Sequence, residues 1–131
     1  MSNFEQIVES ILSNSHIAYI KEYTITTFRN GLYRFDFYLP EYNIFIECQG
    51  QQHYIYSKFF YNNRSDFLKA QERDRRKCSY CLSHGIKLYC IPYWEINNLH
   101  NINDLFDEKF LARSKFHNDE VYRHQKSKTL K

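Results

Sequence analysis

Asp36 and Glu47 are the two residues whose type and spacing most directly offer chemistry. Each sits in a segment of alternating apolar and polar residues. Between them runs Leu39-Pro40-Glu41-Tyr42-Asn43, a sequence suited to a tight turn. With Glu41 and Tyr42 at the tip, antiparallel pairing sets Asp36 opposite Glu47. The Cβ atoms of directly opposed residues are roughly 4.5–5.5 Å apart, close enough for two carboxylates to repel. A cation between them removes the repulsion. Oxygen ligands at this spacing suit Mg²⁺, which keeps several waters and takes one or two protein carboxylates, and Mn²⁺ substitutes in the same ligand set. A phosphodiester would supply a further oxygen. The expectation depends on register, because a one-residue slip sends the two acids to opposite faces. Solvated acids on a half-buried hairpin are the alternative reading.

Other residues could serve hydrolysis at that pair. Histidine is the side chain whose ordinary titration falls near neutral pH, so His53 is a candidate to take a proton from water, or it is an ordinary exposed histidine. Asp74 falls on the apolar face of a helical pattern, with Phe67, Ala70, Cys78 and Cys81 at helical spacings around it. A carboxylate there needs a partner, whether catalytic or structural. Gln49 could donate a hydrogen bond to an attacking water or to the phosphate. Ser2-x-x-Glu5 is a capping-box pattern in which Glu5 satisfies backbone N–H groups, a role that leaves room for a second one. Cys78-x-x-Cys81 together with Cys48 and Cys90 invites comparison with a four-thiolate zinc site. Cys78 and Cys81 fall on the inner face of a helix, however, and Cys48 and Cys90 within strands, positions where small thiols pack. That placement argues against a structural zinc.

The elements that must position these residues follow from periodicity. Phe4, Ile7, Val8, Ile11 and Leu12 predict an amphipathic helix over residues 3–14. Residues 19–28 read as a strand, Asn30-Gly31 as a turn, and residues 33–39 and 43–49 as two further strands. Alternation puts Phe35, Phe37 and Leu39 on one face, with Arg34, Asp36 and Tyr38 on the other. Residues 50–65 show no clean period and read as a functional loop, dense in Tyr and Phe. A helix over 66–84 ended by Gly85, a strand over 86–91 stopped by Pro92, and a short helix over 104–113 complete the chain. The order helix, three strands, helix, strand indicates an α/β fold, a mixed sheet flanked by helices.

The stretch Arg34-Phe35-Asp36-Phe37-Tyr38-Leu39, then Ile44-Phe45-Ile46-Glu47-Cys48-Gln49-Gly50-Gln51-Gln52-His53, resembles the PD-(D/E)XK nucleases. Asp36 matches their first acidic position and Glu47-Cys48-Gln49 their E-x-K element, with Gln49 in place of the usual Lys. Arg73-Asp74-Arg75-Arg76-Lys77, Leu82-Ser83-His84-Gly85-Ile86-Lys87-Leu88 and Tyr93-Trp94-Glu95 look like the second half of the very-short-patch repair endonucleases. That branch, shared with some phage homing endonucleases, is marked by Glu, Asp, a variable position, His and Asp. Glu5, Asp36, Glu47, His53 and Asp74 stand in that order here, and the resemblance spans residues 2–95. It implies a restriction-endonuclease-like core and a Mg²⁺-dependent DNA endonuclease of nicking, homing or repair type, from a phage, virus or mobile element. It implies Asp36 and Glu47 as metal ligands, His53 as general base, and Glu5 and Asp74 as groups orienting His53 or bound waters. The family's zinc-holding stretch reads here Gln51-Gln52-His53-Tyr54.

Composition fits that expectation. The 131 residues suit one nuclease domain over residues 1–112 and a basic tail over residues 113–131. The tail holds six basic and two acidic side chains, a local +4 that leaves −1 for the remainder of a chain whose net charge is +3. Lys115, Arg123, Lys126 and Lys128 in the tail, Lys58 and Arg64 in the loop, and Arg73 and Lys77 on the second helix are candidate phosphate contacts. A frayed, solvated terminus is the other reading of the tail. Aromatic residues reach 18%, and those of the 54–61 loop either stack on bases or pack in the core. The start, Met1-Ser2-Asn3-Phe4-Glu5, lacks the basic and apolar stretches of a signal peptide, and no apolar run reaches about 18 residues. The expectation is a soluble, intracellular protein with reduced thiols and no membrane partner. Its rivals are a catalytically inactive nucleic-acid-binding module with Gln49 marking a decayed site, an RNA endonuclease, and a protein-interaction domain.

Overall fold

Phe4, Val8, Ile11 and Leu12, spaced to share one side of a helix, are the buried residues of α1 (Asn3–Asn14). In the computed structural model, which describes residues 3–29 and 31–129, α1 is followed by β1 (Ile20–Thr27), β2 (Gly31–Leu39) and β3 (Ile44–Gln49). Then come α2 (Arg64–Ser83) and β4 (Lys87–Pro92). The sheet runs β1-β2-β3-β4, with the first three strands antiparallel and β4 parallel to β3. A parallel neighbour requires a crossover, and α2 is that crossover. One cluster of buried residues joins α1 to Phe37, Leu39, Ile46 and Ile91, and a second joins Cys78 and Cys81 of α2 to Phe35, Phe45 and Cys90. The fold is therefore mixed α/β with helices on both faces of a four-stranded sheet.

Local signals delimit the elements. Asn63 caps α2 by accepting from the Asp66 N–H at 2.9 Å, which starts the helix two residues before its expected position. At the other end Gly85 takes φ +66, and the Ile86 N–H returns to the Cys81 carbonyl at 2.9 Å, closing a Schellman motif. The β2–β3 turn pairs Leu39 with Ile44, Tyr38 with Phe45 and Phe37 with Ile46, the register that sets Asp36 across from Glu47. Asn43 closes that turn at φ 54, a conformation asparagine tolerates.

Strict alternation along β2 fails at one point, and the failure lies at Asp36. Tyr33 and Phe35 pack on the α2 side, whereas Phe37 and Leu39 pack on the α1 side, so four residues of one parity divide between the faces. Phe35 stacks on Phe45 at 4.1 Å, while Phe37 meets Tyr19 edge-on at 5.8 Å. β1 switches at the same level: Lys21 reaches Glu9 of α1 at 3.4 Å, but Tyr23 lies against Phe45 at 5.7 Å. The β1–β2 ladder skips the pair Glu22 and Asp36, and Glu22 has φ 52. The left-handed conformation costs an L-residue roughly 1–2 kcal/mol, and here it rotates both strands by one side-chain position. The expected single face of Phe35, Phe37 and Leu39 is corrected accordingly.

The C-terminal third departs further from expectation. In place of one helix over residues 104–113 there is a short α3 (Ile102–Leu105), begun early by a capping box between Asn101 and Asp104. Asp107 then adopts extended backbone and caps a separate 3-10 turn, Glu108–Phe110. Leu111 bridges to Tyr89, and the Ala112 N–H bonds the Leu88 carbonyl at 2.9 Å. Residues 113–131, read as a tail, contain α4 (His117–Thr129). Arg75 of α2 donates from Nε and Nη2 to the two carboxylate oxygens of Asp119, both at 3.0 Å. Tyr122 stacks on Tyr54 at 5.6 Å. Low hydrophobicity concealed this docking, because it rests on a charge pair and one ring. Among the described residues no helix is long and apolar enough to cross a membrane.

A helix of 13 residues is marginal alone in water, so α4 depends on this clamp. Asp119→Ala is expected to lower unfolding stability by about 1.5–3 kcal/mol, the scale of hydrogen bonds to charged groups, and to release amide protection over residues 117–129 first. Urea unfolding with hydrogen exchange checks this. An unchanged midpoint and protection pattern would show that the clamp contributes nothing.

Candidate active site

β2 and β3 bring the acids together, and the short 3-10 turn Gln51–His53 with α2 brings the remainder. A cleft of about 870 Å³ is lined by Glu5, Asp36, Glu47, His53, Asp74 and Lys77 among others. Five of the six candidate catalytic residues thus share one wall system although they are spread over 70 positions. Asp36 stands at the switch in β2 and accepts the Cys48 backbone N–H on Oδ2 at 2.7 Å. Its carboxyl also contacts that of Glu47. Burial, and then the charge of Glu47, push the Asp36 pKa up to about 7. Glu47 is only 4% exposed. Burial raises its pKa too, opposed by the ammonium of Lys77. Two carboxyls in contact, one buried and the other half-buried, resist ionising together without a cation, so the pair holds a proton or draws on positive charge.

Lys77 supplies part of that charge. Its Nζ donates to Glu47 Oε1 and lies 4.9 Å from the centre of the Phe35 ring. Burial works against the charged amine, but the contact with Glu47 outweighs it and holds the Lys77 pKa above its ordinary value. Lys77, a candidate phosphate contact, therefore points into the wall of the cleft rather than out from α2, with its side chain 12% exposed. Its position three residues after Asp74, and so on the same helical face, was the signal available in the sequence.

His53 Nδ1 lies 2.8 Å from Asp74 Oδ2. With Nδ1 protonated toward the carboxylate, Nε2 carries the lone pair that can accept a proton. Asp74 is thus the partnered carboxylate on the inner face of α2 that its spacing indicated. Glu5 lines the same cleft from α1, and Ser2, its expected capping-box partner, lies outside the described residues. Gln49 does not join them. It is 2% exposed with its side-chain oxygen unpaired, inside the sheet beside Pro92, which corrects its expected role at the water or phosphate.

The cations divide as well. Arg73 lines the cleft, and Lys58 in the adjoining loop and Arg64 at the start of α2 are exposed, Arg64 lying over the Tyr56 ring at 4.7 Å. Lys115, Arg123 and Lys126 gather on the other side of His53, whereas Lys128 faces a separate hollow beside Glu95 and Glu120. The aromatic loop splits in two. Tyr54 is buried, Tyr56 and Tyr61 pack toward Phe67, and Phe59 projects at 88% exposure. Cys48 packs on the α1 side, and Cys78, Cys81 and Cys90 on the α2 side, so the four thiols do not converge. Burial pushes the Cys81 thiol up to about 12.

Among the described residues no three or more His, Cys, Asp or Glu side chains cluster as a metal cage. The donor set that does fit a metal is the carboxyl pair, since Mg²⁺ needs only one or two protein carboxylates beside waters and substrate oxygens.

Three viral proteins share sequence with the chain. Uncharacterized protein 033L of invertebrate iridescent virus 3 is 33% identical over 58 residues, 44% of this chain and 30% of that protein. Uncharacterized protein 307L of invertebrate iridescent virus 6 is 31% identical over 71 residues, 53% of this chain and 36% of that protein. Uncharacterized protein 094L of frog virus 3 is 47% identical over 49 residues, 37% of this chain and 32% of that protein. The chain spans about a third of the length of these relatives. No family model and no solved structure matches.

The raised Asp36 carboxyl has a defined sign. Its folded pKa of about 7 exceeds the ordinary 3.8, so the folded state binds the extra proton between these values. Its contribution to stability is complete below about pH 4 and is lost as pH rises through about 7. In EDTA at pH 8, Asp36→Asn is expected to be more stable than the parent by about 1–3 kcal/mol, the scale of an uncompensated buried polar group. Mg²⁺ is expected to raise the parent's melting temperature and leave the variant's unchanged. A parent stability flat from pH 4 to 8 would show that the pair is not strained.

Proposed function

We propose that this chain is a Mg²⁺-dependent DNA endonuclease with a restriction-endonuclease-like core, hydrolysing phosphodiester bonds in the cleft between β2, β3 and α2. The observation that supports it is the convergence of Glu5, Asp36, Glu47, His53 and Asp74 on one cleft. These are the residues the nuclease resemblance selects.

In this reading Asp36 and Glu47 hold the metal. When bound, Mg²⁺ supplies polarisation of the scissile phosphate and stabilises the charge that develops on it. The chain's own residues do the rest. His53 Nε2 accepts the proton of the attacking water, and Asp74 at 2.8 Å fixes the ring and stabilises the imidazolium that forms. Lys77 provides the cation beside the acid pair that Gln49 cannot. Arg73, Lys58 and Arg64 meet phosphates, and the exposed ring of Phe59 stacks on bases in this reading.

Supercoiled plasmid incubated with Mg²⁺ or EDTA tests the reading. Nicking is expected with Mg²⁺ only, and Mn²⁺ should substitute. Asp36→Asn and Glu47→Gln should each abolish it. His53→Ala should slow it by about 10²–10⁴-fold, the usual contribution of a general base. Salt-sensitive DNA binding without any nicking by folded protein would replace this reading with the binding module. Faster cleavage of RNA presented side by side would make it an RNA endonuclease.

A further inference from the structure

His53 and Asp74 have a second side. Besides the cleft, they wall a separate cavity of about 290 Å³ between α2 and α4. Lys115, Arg123 and Lys126 from the C-terminal segment line it, as does Arg75 of α2. Its two carboxylates are already committed, Asp74 to His53 and Asp119 to Arg75. Lys115 and Arg123 make no ion pair among the described residues. With Arg75 paired to Asp119 and Asp74 to His53, Lys115 and Arg123 are the positive charge left to the cavity. Like-signed charge on concave walls concentrates an anion more than the same charge spread on a convex face. Two polar atoms of the lining residues, Asn118 Oδ1 and Tyr54 Oη, are buried without a hydrogen-bond partner. Buried polar groups are normally paired, so such atoms mark where a ligand or water supplies the partner.

We infer that this cavity seats a nucleotide of the bound strand next to the one being cut. Lys115 and Arg123 grip its phosphate, and Asn118 accepts from a donor on its sugar or base. The inference rests on the nucleic-acid reading above in taking the anion to be a strand phosphate. His53 then stands between two phosphate positions, the scissile one in the cleft and its neighbour in the cavity. The C-terminal helix becomes the element that sets which bond lies against the acid pair.

The test uses the full chain in EDTA and the dinucleotide pTpT as probe, so binding is read without reference to cleavage. The expected result is saturable binding with amide shifts at His53, Asn118 and Tyr122. Affinity should fall at least about tenfold in Lys115→Gln/Arg123→Gln, the loss expected when two phosphate contacts are removed. Inorganic phosphate should bind at least about tenfold more weakly than pTpT, because it lacks the sugar and base that span from the Lys115 and Arg123 grip to Asn118. Both substituted side chains are exposed, and shift mapping of the parent gives a readout that needs no variant. No binding, shifts elsewhere, equal affinity for phosphate, or an unchanged double variant would each overturn the inference. A chain that nicks plasmid without binding pTpT loses the cavity and keeps the nuclease reading. A chain that binds pTpT without nicking does the reverse.

Discussion

Two carboxyl groups are held in contact inside a protein sheet, and most of the local architecture answers that constraint. Asp36 and Glu47 repel when both are charged, and the burial of Glu47 with the partial burial of Asp36 leaves that repulsion weakly screened. The structure meets the repulsion from three directions. A backbone N–H from Cys48 points at Asp36, an ammonium from α2 points at Glu47, and the strand carrying Asp36 leaves its ladder at that residue. A pair arranged this way needs positive charge beside it, and Lys77 supplies part of that charge.

α2 connects that constraint to the remainder of the site. Its inward face presents Asp74 and then Lys77 one turn later, so one rigid element fixes both the partner of His53 and the partner of Glu47. Its outward face holds Arg75, which secures α4. Placing these groups on a helix capped at both ends ties their spacing to backbone geometry rather than to loop conformation. The turn bearing His53 is itself short and internally bonded, with the His53 N–H to the Gly50 carbonyl at 3.1 Å.

Much of this was legible in the residues. The turn between Leu39 and Ile44, together with side-chain parity, specified the register that opposes Asp36 and Glu47. Helical spacing placed Asp74 on an inner face, and Gly85 marked the end of α2. The switch in β2 was not legible, because it arises from a left-handed backbone at Glu22, a residue type with no preference for that conformation. Nor was α4, whose docking couples Arg75 to Asp119 across 44 positions and buries little apolar surface. Gln49 was misplaced for a related reason. Parity put it on the face of Glu47, but only the packed structure shows it buried at 2% exposure and absent from the cleft wall. Lys77 was within reach of the same spacing that found Asp74, but basic residues on helices are read by default as solvated.

The switch at Glu22 and Asp36 also divides the sheet mechanically. Beyond it, the arm formed by the far halves of β1 and β2 is bonded by packing to α2 through Tyr33, Phe35 and Tyr80, and not to α1. The exposed Phe28 and Leu32 sit at the end of that arm. The two halves of the sheet are thus tied to different helices, and the boundary between them falls at the acid pair, with the arm anchored on the same helix that carries Asp74 and Lys77.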